Sequence, residues 1–473
     1  MVPPLQKQNN PIHEEHLRVI SLTNYMSKVM EQFVIAWLMQ YVGDQLDWGQ
    51  YGGLKGSSIS HYLIDFVNFV LYNQDLKIPH AVVAVMIDFA KAFNRINHSI
   101  IIIILSEMGV PGWLLKIIIG FLTQRELILR YKGGSSSRKS MPGGGPQGTR
   151  LGLFLFLILI NAACSGILEK HIGEKITEKM NKRKPLTNIH LKYIDDLSLA
   201  QAINLKECLI NNPDPNPPRP LSYHDRTNHL LPSDSYQLQD QLHQLVRYSE
   251  DNQMVISENK CKVMIFNTGR KYDATPKLTL SGSGNNYLEV VETFQLLGVV
   301  IRSDLRWNDN TDYLCQKGYK RLWLIRRLKT LGATQSEMLD VYTKQVRSIL
   351  ELAVPVWSPG LTQLEVKKLE RVQKTAFYII LGEKYVSYDN AMDILGCDRL
   401  VNRRKKLCEN FGKRALKHPK FKSWFRDFIP KIPKVTTRGS DKKHDTKFIP
   451  VPSRTNRYKK SPLPYLTELL NMT

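Results

Sequence analysis

The sequence predicts an α+β fold, with an antiparallel sheet and flanking helices in its first two thirds and a helical region after it. A continuous apolar run at Ala81–Ile87 has the length and character of a buried strand. Two further runs, Ile189–Tyr193 and Leu197–Ala200, flank an acidic turn as the strands of a hairpin do. Apolar residues at helical spacing beyond Gly298 predict the helical region. At 473 residues, the chain is long enough for two or three subdomains.

The remaining elements follow from apolar spacing and from glycine and proline positions. Ahead of the acidic hairpin the sequence predicts helices Thr23–Met39 and Ser57–Tyr72, a helix within Phe89–Met108, a hairpin around Leu127–Tyr131, the loop Gly143–Gly148 and the apolar helix Leu151–Ile160. The last of these is too short to span a membrane, which needs about 20 apolar residues. After the hairpin it predicts a proline-rich loop, the helix Asp240–Glu250, strand-like sequence in Met254–Phe266 and the helices Thr311–Leu331, Ser336–Val354 and Leu364–Leu381.

The charge balance indicates a polyanionic partner. The formal net charge is +23, and residues 401–473 contain 20 Lys and Arg against 5 Asp and Glu. Nucleic acid is the commonest partner of so basic a chain, although ribosomal proteins and lipid-binding surfaces share this balance. The six cysteines are scattered without a CxxC pair, which excludes a zinc knuckle and favours a reducing, intracellular setting. No secretory signal or membrane-spanning segment is predicted.

Three aspartates form the candidate catalytic centre. Asp88 ends the apolar strand, and Asp195 and Asp196 occupy the hairpin turn. Joining a 3′-hydroxyl to an α-phosphate builds negative charge on the attacking and leaving oxygens, which two Mg²⁺ ions stabilise. Because Mg²⁺ prefers carboxylate oxygens, this order of residues is typical of such a site. A turn aspartate or a solvated acidic pair is the ordinary alternative for each element alone.

Several ordered motifs resemble those of reverse transcriptases, and in particular those of non-LTR (LINE-type, jockey-like) retrotransposons. The motifs are Asp88-Phe89-Ala90-Lys91-Ala92-Phe93, Pro146-Gln147-Gly148, Tyr193-Ile194-Asp195-Asp196 and Phe294-Gln295-Leu296-Leu297-Gly298-Val299, with further likeness at Arg18-Val19-Ile20-Ser21-Leu22, Leu305-Arg306-Trp307, Tyr342, Trp357, Arg403-Arg404, Arg457-Tyr458 and Ser461-Pro462. This resemblance implies a right-hand polymerase. It divides the chain into fingers (1–80, lacking their N-terminal part), palm with interspersed fingers elements and a primer-grip hairpin (81–300, with a proline-rich insertion at about 211–235), a helical thumb and connection (301–430) and a basic, irregular tail (431–473).

The resemblance also implies roles for individual residues. Asp88, Asp195 and Asp196, with the backbone carbonyl of Phe89, would hold two Mg²⁺ ions, which Mn²⁺ can replace. Lys260 would act as general acid, with Lys262 as the neighbouring alternative. The incoming deoxynucleotide would meet Lys7, Arg18, Phe89, Phe93, Gln147, Gly148 and Tyr193, with Phe93 excluding the 2′-hydroxyl, unless its ring is simply core. Leu297 and Gly298 would grip the primer.

The implied partners are an RNA template, a DNA primer or target and deoxynucleotides, with no membrane. The implied location is the nucleus, with a cytoplasmic ribonucleoprotein stage. The family's endonuclease domain and zinc knuckle are not expected in this chain. Asn94, Val19, Leu153 and Ala162 stand where the family commonly has Asp, Pro, Pro and Asp. Asn94 and the missing endonuclease leave open a nucleic-acid-binding remnant without turnover. An RNA-directed RNA polymerase, which shares the palm, is the other alternative, although Tyr193-Ile194 and Phe93 disfavour it.

Overall fold

The computed structural model describes most of the chain. The described residues are 4–6, 17–78, 80–90, 92–123, 125–131, 134–141, 143–164, 180, 183–204, 232–267, 278–280, 286–426 and 448–472. Lys7 and most of the proline-rich insertion lie outside them. No helix in these ranges is both long and apolar enough to cross a membrane.

A five-stranded sheet lies at the centre. Its strands are β3 (His80–Ile87), β8 (Asn188–Tyr193), β9 (Asp196–Asn204), β10 (Lys262–Phe266) and β11 (Glu289–Val290), in the order β11-β10-β3-β9-β8. All neighbours are antiparallel except β10 and β11. The smaller strands are β1 (Pro4–Gln6), β2 (Leu17–Val19), β4 (Glu126–Leu127), β5 (Arg130–Tyr131), β6 (Gly134–Ser135), β7 (Lys139–Ser140), β12 (Thr293–Leu296) and β13 (Val299–Arg302).

Helices cover both faces of this sheet. Those before β11 are α1 (Tyr25–Val42), α2 (Ile59–Asp75), α3 (His98–Glu107), α4 (Gly112–Leu122), α5 (Arg150–Asn161) and α6 (Pro232–Asp251). Those after it are α7 (Asn308–Thr330), α8 (Gln335–Val341), which continues through the π-turn Tyr342–Arg347 into α9 (Ser348–Leu350), then α10 (Val354–Trp357), α11 (Gln363–Leu381), α12 (Tyr388–Leu395), α13 (Leu400–Leu416), α14 (Asn456–Lys459) and α15 (Pro462–Met472). The predicted α+β class is confirmed.

Burial of β3 on both faces explains why its residues Ala81–Ile87 are all apolar. Successive side chains point to opposite faces of a strand. Val82, Ala84 and Met86 belong to a core shared with α2 and the C-terminal helices. Val83 and Val85 belong to a second core, formed with α1, α3, α4 and α5. Because each face meets its own core, neither face of β3 can be polar.

The C-terminal tail contains two helices, so the predicted irregular structure is wrong for Asn456–Lys459 and Pro462–Met472, whereas residues 449–455 form neither helix nor strand. In α15, Leu463, Leu466 and Leu470 are buried at helical spacing. Its two prolines occupy the first turn, where the missing N–H has no helical partner to lose. The carboxylate of Asp75 anchors the segment by accepting hydrogen bonds from the backbone N–H groups of Arg454 and Thr455.

Candidate active site

The turn between β8 and β9 presents the acidic pair. Tyr193 pairs with Asp196 at the end of the ladder, so the turn consists of Ile194 and Asp195. Ile194 has a φ of 61°, in the left-handed region that β-branched residues rarely adopt. Backbone outliers of this kind cluster at functional sites, where surrounding structure holds them in place. We therefore regard the turn as part of the candidate site.

Sheet register brings Asp88 to the same place. The pairing of β3 with β9 runs from His80 opposite Asn204 to Ile87 opposite Leu197. Asp88 follows Ile87, and Asp196 precedes Leu197, so the two acids lie at the same end of adjacent strands. The structure thus brings together the three aspartates that the sequence selects. Their function as metal ligands stays a prediction.

The charges of Asp88 and Asp195 act on the carboxyl of Asp196. Burial raises the pKa of Asp196 to about 6, and the charges of Asp195 and Asp88 add to the effect. The Oδ2 atom of Asp88 lies 3.0 Å from Nζ of Lys260, in a partly exposed ion pair. Among the described residues, at this site or any other, no three His, Cys, Asp or Glu side chains are arranged so that they could hold a metal ion. Asp88 is turned to the lysine instead.

The same ion pair distinguishes two lysines that the sequence left open. Lys260 lies in the turn Glu258–Lys260 and contacts Asp88. Lys262 lies in β10 and pairs with Glu289 at 2.6 Å. Only Lys260 of these two is therefore placed beside the candidate carboxylates.

A cleft of about 440 Å³ opens beside Asp195. Four of the predicted site residues share it, although they come from three separate segments of the chain. Its lining residues are Phe93, Gln147, Gly148, Thr149, Arg150, Leu153, Ile194 and Asp195. The Gln147-Gly148 loop and the acidic hairpin therefore face a common space.

The Gln147-Gly148 loop has a shape that only glycine allows. Gly148 has a φ of +106°, and an added Cβ would lie 2.9 Å from the backbone oxygen of Ser21. The backbone N–H of Ser21 donates to the carbonyl oxygen of Gln147 at 2.6 Å. The loop is therefore held against the segment that leads into α1.

Glu31 stabilises the residues that directly follow this loop, and it was not predicted as a site residue from the sequence. It lies on the buried face of α1 with Val34 and Leu38. Its Oε2 atom accepts hydrogen bonds from the backbone N–H groups of Arg150 and Leu151, at 2.7 and 3.0 Å. These N–H groups begin α5, where a carboxylate is favourable. A lone glutamate on the apolar face of a predicted helix was the available signal.

We expect Glu31→Ala to loosen the side of the cleft that Gln147 and Gly148 line. Removal of the carboxylate leaves two buried N–H groups without acceptors, which costs about 2 kcal/mol in unfolding free energy. Urea unfolding measures this loss. Glu107→Ala, at an exposed position of α3, is the matched control and should change stability little. Equal stability of the two variants would contradict the assigned support.

Other predicted residues have different surroundings. Tyr193 is half-buried, with its ring edge-on to that of Tyr62 at 6.4 Å between centroids. The side chain of Phe89 is buried in the core, so only its backbone can face a substrate. Arg18 lies in β2, and its side chain is not described.

Leu297 and Gly298 form the two-residue turn between β12 and β13. Both have positive φ values, 49° and 83°, as a tight hairpin with a primed turn requires. Gly298 packs close to Leu352, where an added Cβ would lie 3.2 Å from that side chain. The predicted hairpin is therefore present, and its contact is with the C-terminal helical region.

Comparison with known proteins gives one family match. The profile described as "Reverse transcriptase (RNA-dependent DNA polymerase)" matches residues 5–314. That range contains all three aspartates and the cleft.

Solved structures with some likeness include telomerases from Candida tropicalis and Candida albicans. An apo telomerase from Candida tropicalis is 11% identical, with a TM-score of 0.41, covering 88% of this chain and 65% of that one. A Candida albicans telomerase in complex with the TWJ fragment of telomeric RNA is 10% identical, with a TM-score of 0.35, covering 84% and 57%. The chain spans about half of a truncated Candida tropicalis telomerase, at 51% of its length.

Proposed function

Because the chain belongs to the reverse transcriptase (RNA-dependent DNA polymerase) family, we propose that it copies RNA into DNA by extending a primer with deoxynucleotides. One observation carries this proposal. The register of β3 with β9 puts Asp88 and Asp196 at the same end of adjacent strands, and the neighbouring Asp195 lines a cleft with Phe93 and Gln147. Nucleotidyl transfer needs that combination of clustered carboxylates and a nucleotide-sized space.

The donor set suits divalent metal ions, which the family generally uses. The three aspartates supply the hard carboxylate oxygens that such cations prefer, although Asp88 faces Lys260 here and the described residues contain no ready three-ligand group. We propose Asp88, Asp195 and Asp196, with the carbonyl of Phe89, as the ligands, and Mg²⁺ as the metal. When bound, two such ions would stabilise the charge on the attacking and leaving oxygens.

The remaining roles are proposed on the resemblance of the sequence motifs. Phe93 would face the sugar of the incoming deoxynucleotide, and Gln147 and Gly148 would face its base and ribose. Tyr193 would also contact the deoxynucleotide. Lys7 and Arg18 are proposed triphosphate ligands because guanidinium and ammonium groups bind phosphate oxygens. Lys260 would donate a proton to the leaving pyrophosphate, since its exposed ammonium group lies beside Asp88.

A basic helix face is proposed to bind the template–primer duplex. The helix α7 buries Leu314, Leu322 and Ile325 and leaves its basic side chains exposed. The exposed basic residues are Lys317, Lys320, Arg321, Arg326 and Arg327. Contacts of this kind are made to phosphates without sequence preference and weaken as salt rises. We propose that the Leu297–Gly298 turn holds the primer end.

The finer origin rests on sequence motifs alone. We propose that the chain derives from a non-LTR retrotransposon of the jockey-like group, on the motif likeness from Arg18 to Ser461. Such a protein would work on DNA in the nucleus after assembly with RNA in the cytoplasm.

Primer extension on a homopolymer RNA template tests the function. The protein should add the complementary deoxynucleotide to an annealed DNA primer in Mg²⁺, and ribonucleotides far more slowly. Binding of the template–primer without incorporation in either Mg²⁺ or Mn²⁺ would support the remnant instead. Preference for ribonucleotides would support an RNA polymerase.

A further inference from the structure

A glycine-rich loop covers the open edge of the sheet beside the catalytic turn. We call residues 47–53 the support loop; they read Asp-Trp-Gly-Gln-Tyr-Gly-Gly. The strand β8 is the last in the sheet order, so its outer edge has no strand partner among the described ones. The loop fills this edge, because Lys192 donates its N–H to Gly49 at 2.8 Å and accepts that of Tyr51 at 2.9 Å.

The support loop packs closely against the Ile194–Asp195 turn between β8 and β9. An added Cβ on Gly52 would lie 2.5 Å from the backbone nitrogen of Ile194. One on Gly49 would lie 2.5 Å from the backbone oxygen of His190. Real Cβ atoms do not approach this closely, so the loop backbone rests directly on the hairpin. A displacement of the loop must therefore disturb the turn that presents Asp195.

A buried ion pair fixes the first residue of the support loop. Asp47 lies 2.6 Å from Nε2 of His190 and 2.6 Å from Nζ of Lys192. Burial alone would raise the pKa of Asp47, but the hydrogen bond from His190 and the charge of Lys192 hold it well below its ordinary range. Both partners belong to β8, so this contact holds the support loop against that strand.

The middle of the support loop is held from a distant part of the chain. Lys420, which follows α13, donates from Nζ to the carbonyl oxygens of Trp48 and Gln50, the latter at 3.1 Å. The same ammonium group lies 3.5 Å from the ring centroid of Tyr51. Tyr51 in turn donates its hydroxyl to Asp65 of α2 at 2.5 Å. Two carbonyls, one ring and a nearby carboxylate thus converge on one lysine.

We propose that Lys420 is a positioning residue of the polymerase: it holds the support loop against the β8–β9 hairpin and so fixes where Asp195 lies. The proposal rests on the proposed polymerase function, because its consequence is a change in catalysis. It goes beyond that function in making the C-terminal region part of the catalytic apparatus. The bland alternative is that Lys420 only docks the C-terminal helices onto the palm.

Hydrogen exchange separates these two possibilities without any need for activity. Lys420→Met keeps the length of the side chain and removes its donors. Lys422→Met is the matched control, since Lys422 is exposed two residues away and undergoes the same substitution. We expect amide exchange to accelerate at residues 47–53 and 190–197 in Lys420→Met and to remain unchanged there in Lys422→Met.

Kinetics give the second readout. A misplaced Asp195 should lower kcat by about tenfold to a hundredfold and raise the Mg²⁺ concentration needed for half-maximal rate. Template–primer binding should stay unchanged. Lys420→Gln retains one donating amide and should give an intermediate rate, and it serves as the test variant if Lys420→Met does not fold.

Two results would overturn the proposal. One is a lower melting temperature for Lys420→Met with unchanged exchange at residues 190–197. The other is an unchanged Mg²⁺ requirement in an active Lys420→Met protein. If the unmutated protein incorporates no nucleotide, the polymerase function fails, and the exchange experiment alone decides whether Lys420 positions the hairpin.

Discussion

Asp195→Asn is expected to lower primer extension by at least about a thousandfold. Asp195 lies in the two-residue turn that lines the cleft, at the end of the sheet that also carries Asp88 and Asp196. An amide is a much weaker ligand for a hard cation than a carboxylate, and stabilisation of transferring phosphate by a metal is worth several kcal/mol. Each 1.36 kcal/mol corresponds to a tenfold change in rate. Steady-state extension of a labelled primer measures the loss.

The control for this variant is Asp251→Asn. Asp251 is exposed at the end of α6, so this control makes the same carboxylate-to-amide change away from the candidate site. Its activity should match that of the unmutated protein. Template–primer affinity should be equal in all three proteins, because the basic face of α7 is unchanged. Retention of more than about a tenth of the activity by Asp195→Asn would remove Asp195 from the catalytic centre.

Phe93→Ala is expected to admit ribonucleotides. The ring of Phe93 packs against that of Phe156, with centroids 4.9 Å apart, and its backbone oxygen accepts the N–H of Gly145 at 2.6 Å. The side chain is therefore fixed at the edge of the cleft rather than free to move aside. Removal of the ring should reduce discrimination against ribonucleotides by about a hundredfold, the upper range for one steric group.

The measurement is the ratio of kcat/KM for a deoxynucleotide to that for the matching ribonucleotide. Phe33→Ala, at an exposed position of α1, is the control and should leave this ratio unchanged. If Phe93→Ala loses activity with both nucleotides in equal proportion, the ring is only a core residue, which was the alternative on sequence grounds.

Local sequence patterns predicted the strand and the hairpin that hold the aspartates. The run Ala81–Ile87 is a strand because both of its faces are buried, and such a pattern is visible in the sequence itself. The acidic hairpin and the apolar α5 were visible for the same reason, since each has a periodicity of its own. The α7 helix also matches its predicted apolar stripe.

The C-terminal tail shows where local patterns fail. Lysine and proline content suggested irregular structure after residue 430, yet α15 packs its leucines into the core. The stabilising contacts come from α2, nearly 400 residues earlier, through Asp75 and the Asn68–Tyr458 hydrogen bond of 3.0 Å. Tertiary packing of an apolar face outweighs composition in a helix of this length.

The sequence by itself determined the residue types, their order and the elements that hold them: a strand ending in Asp88, a hairpin carrying Asp195 and Asp196, and a Gln-Gly loop between them. Only the tertiary structure decided the support of that site. Glu31 and Lys420 belong to no sequence motif, because each makes its hydrogen bond to the backbone of a segment more than 100 residues away. A sequence pattern records what neighbours in the chain share, whereas such contacts exist only once distant segments have packed together.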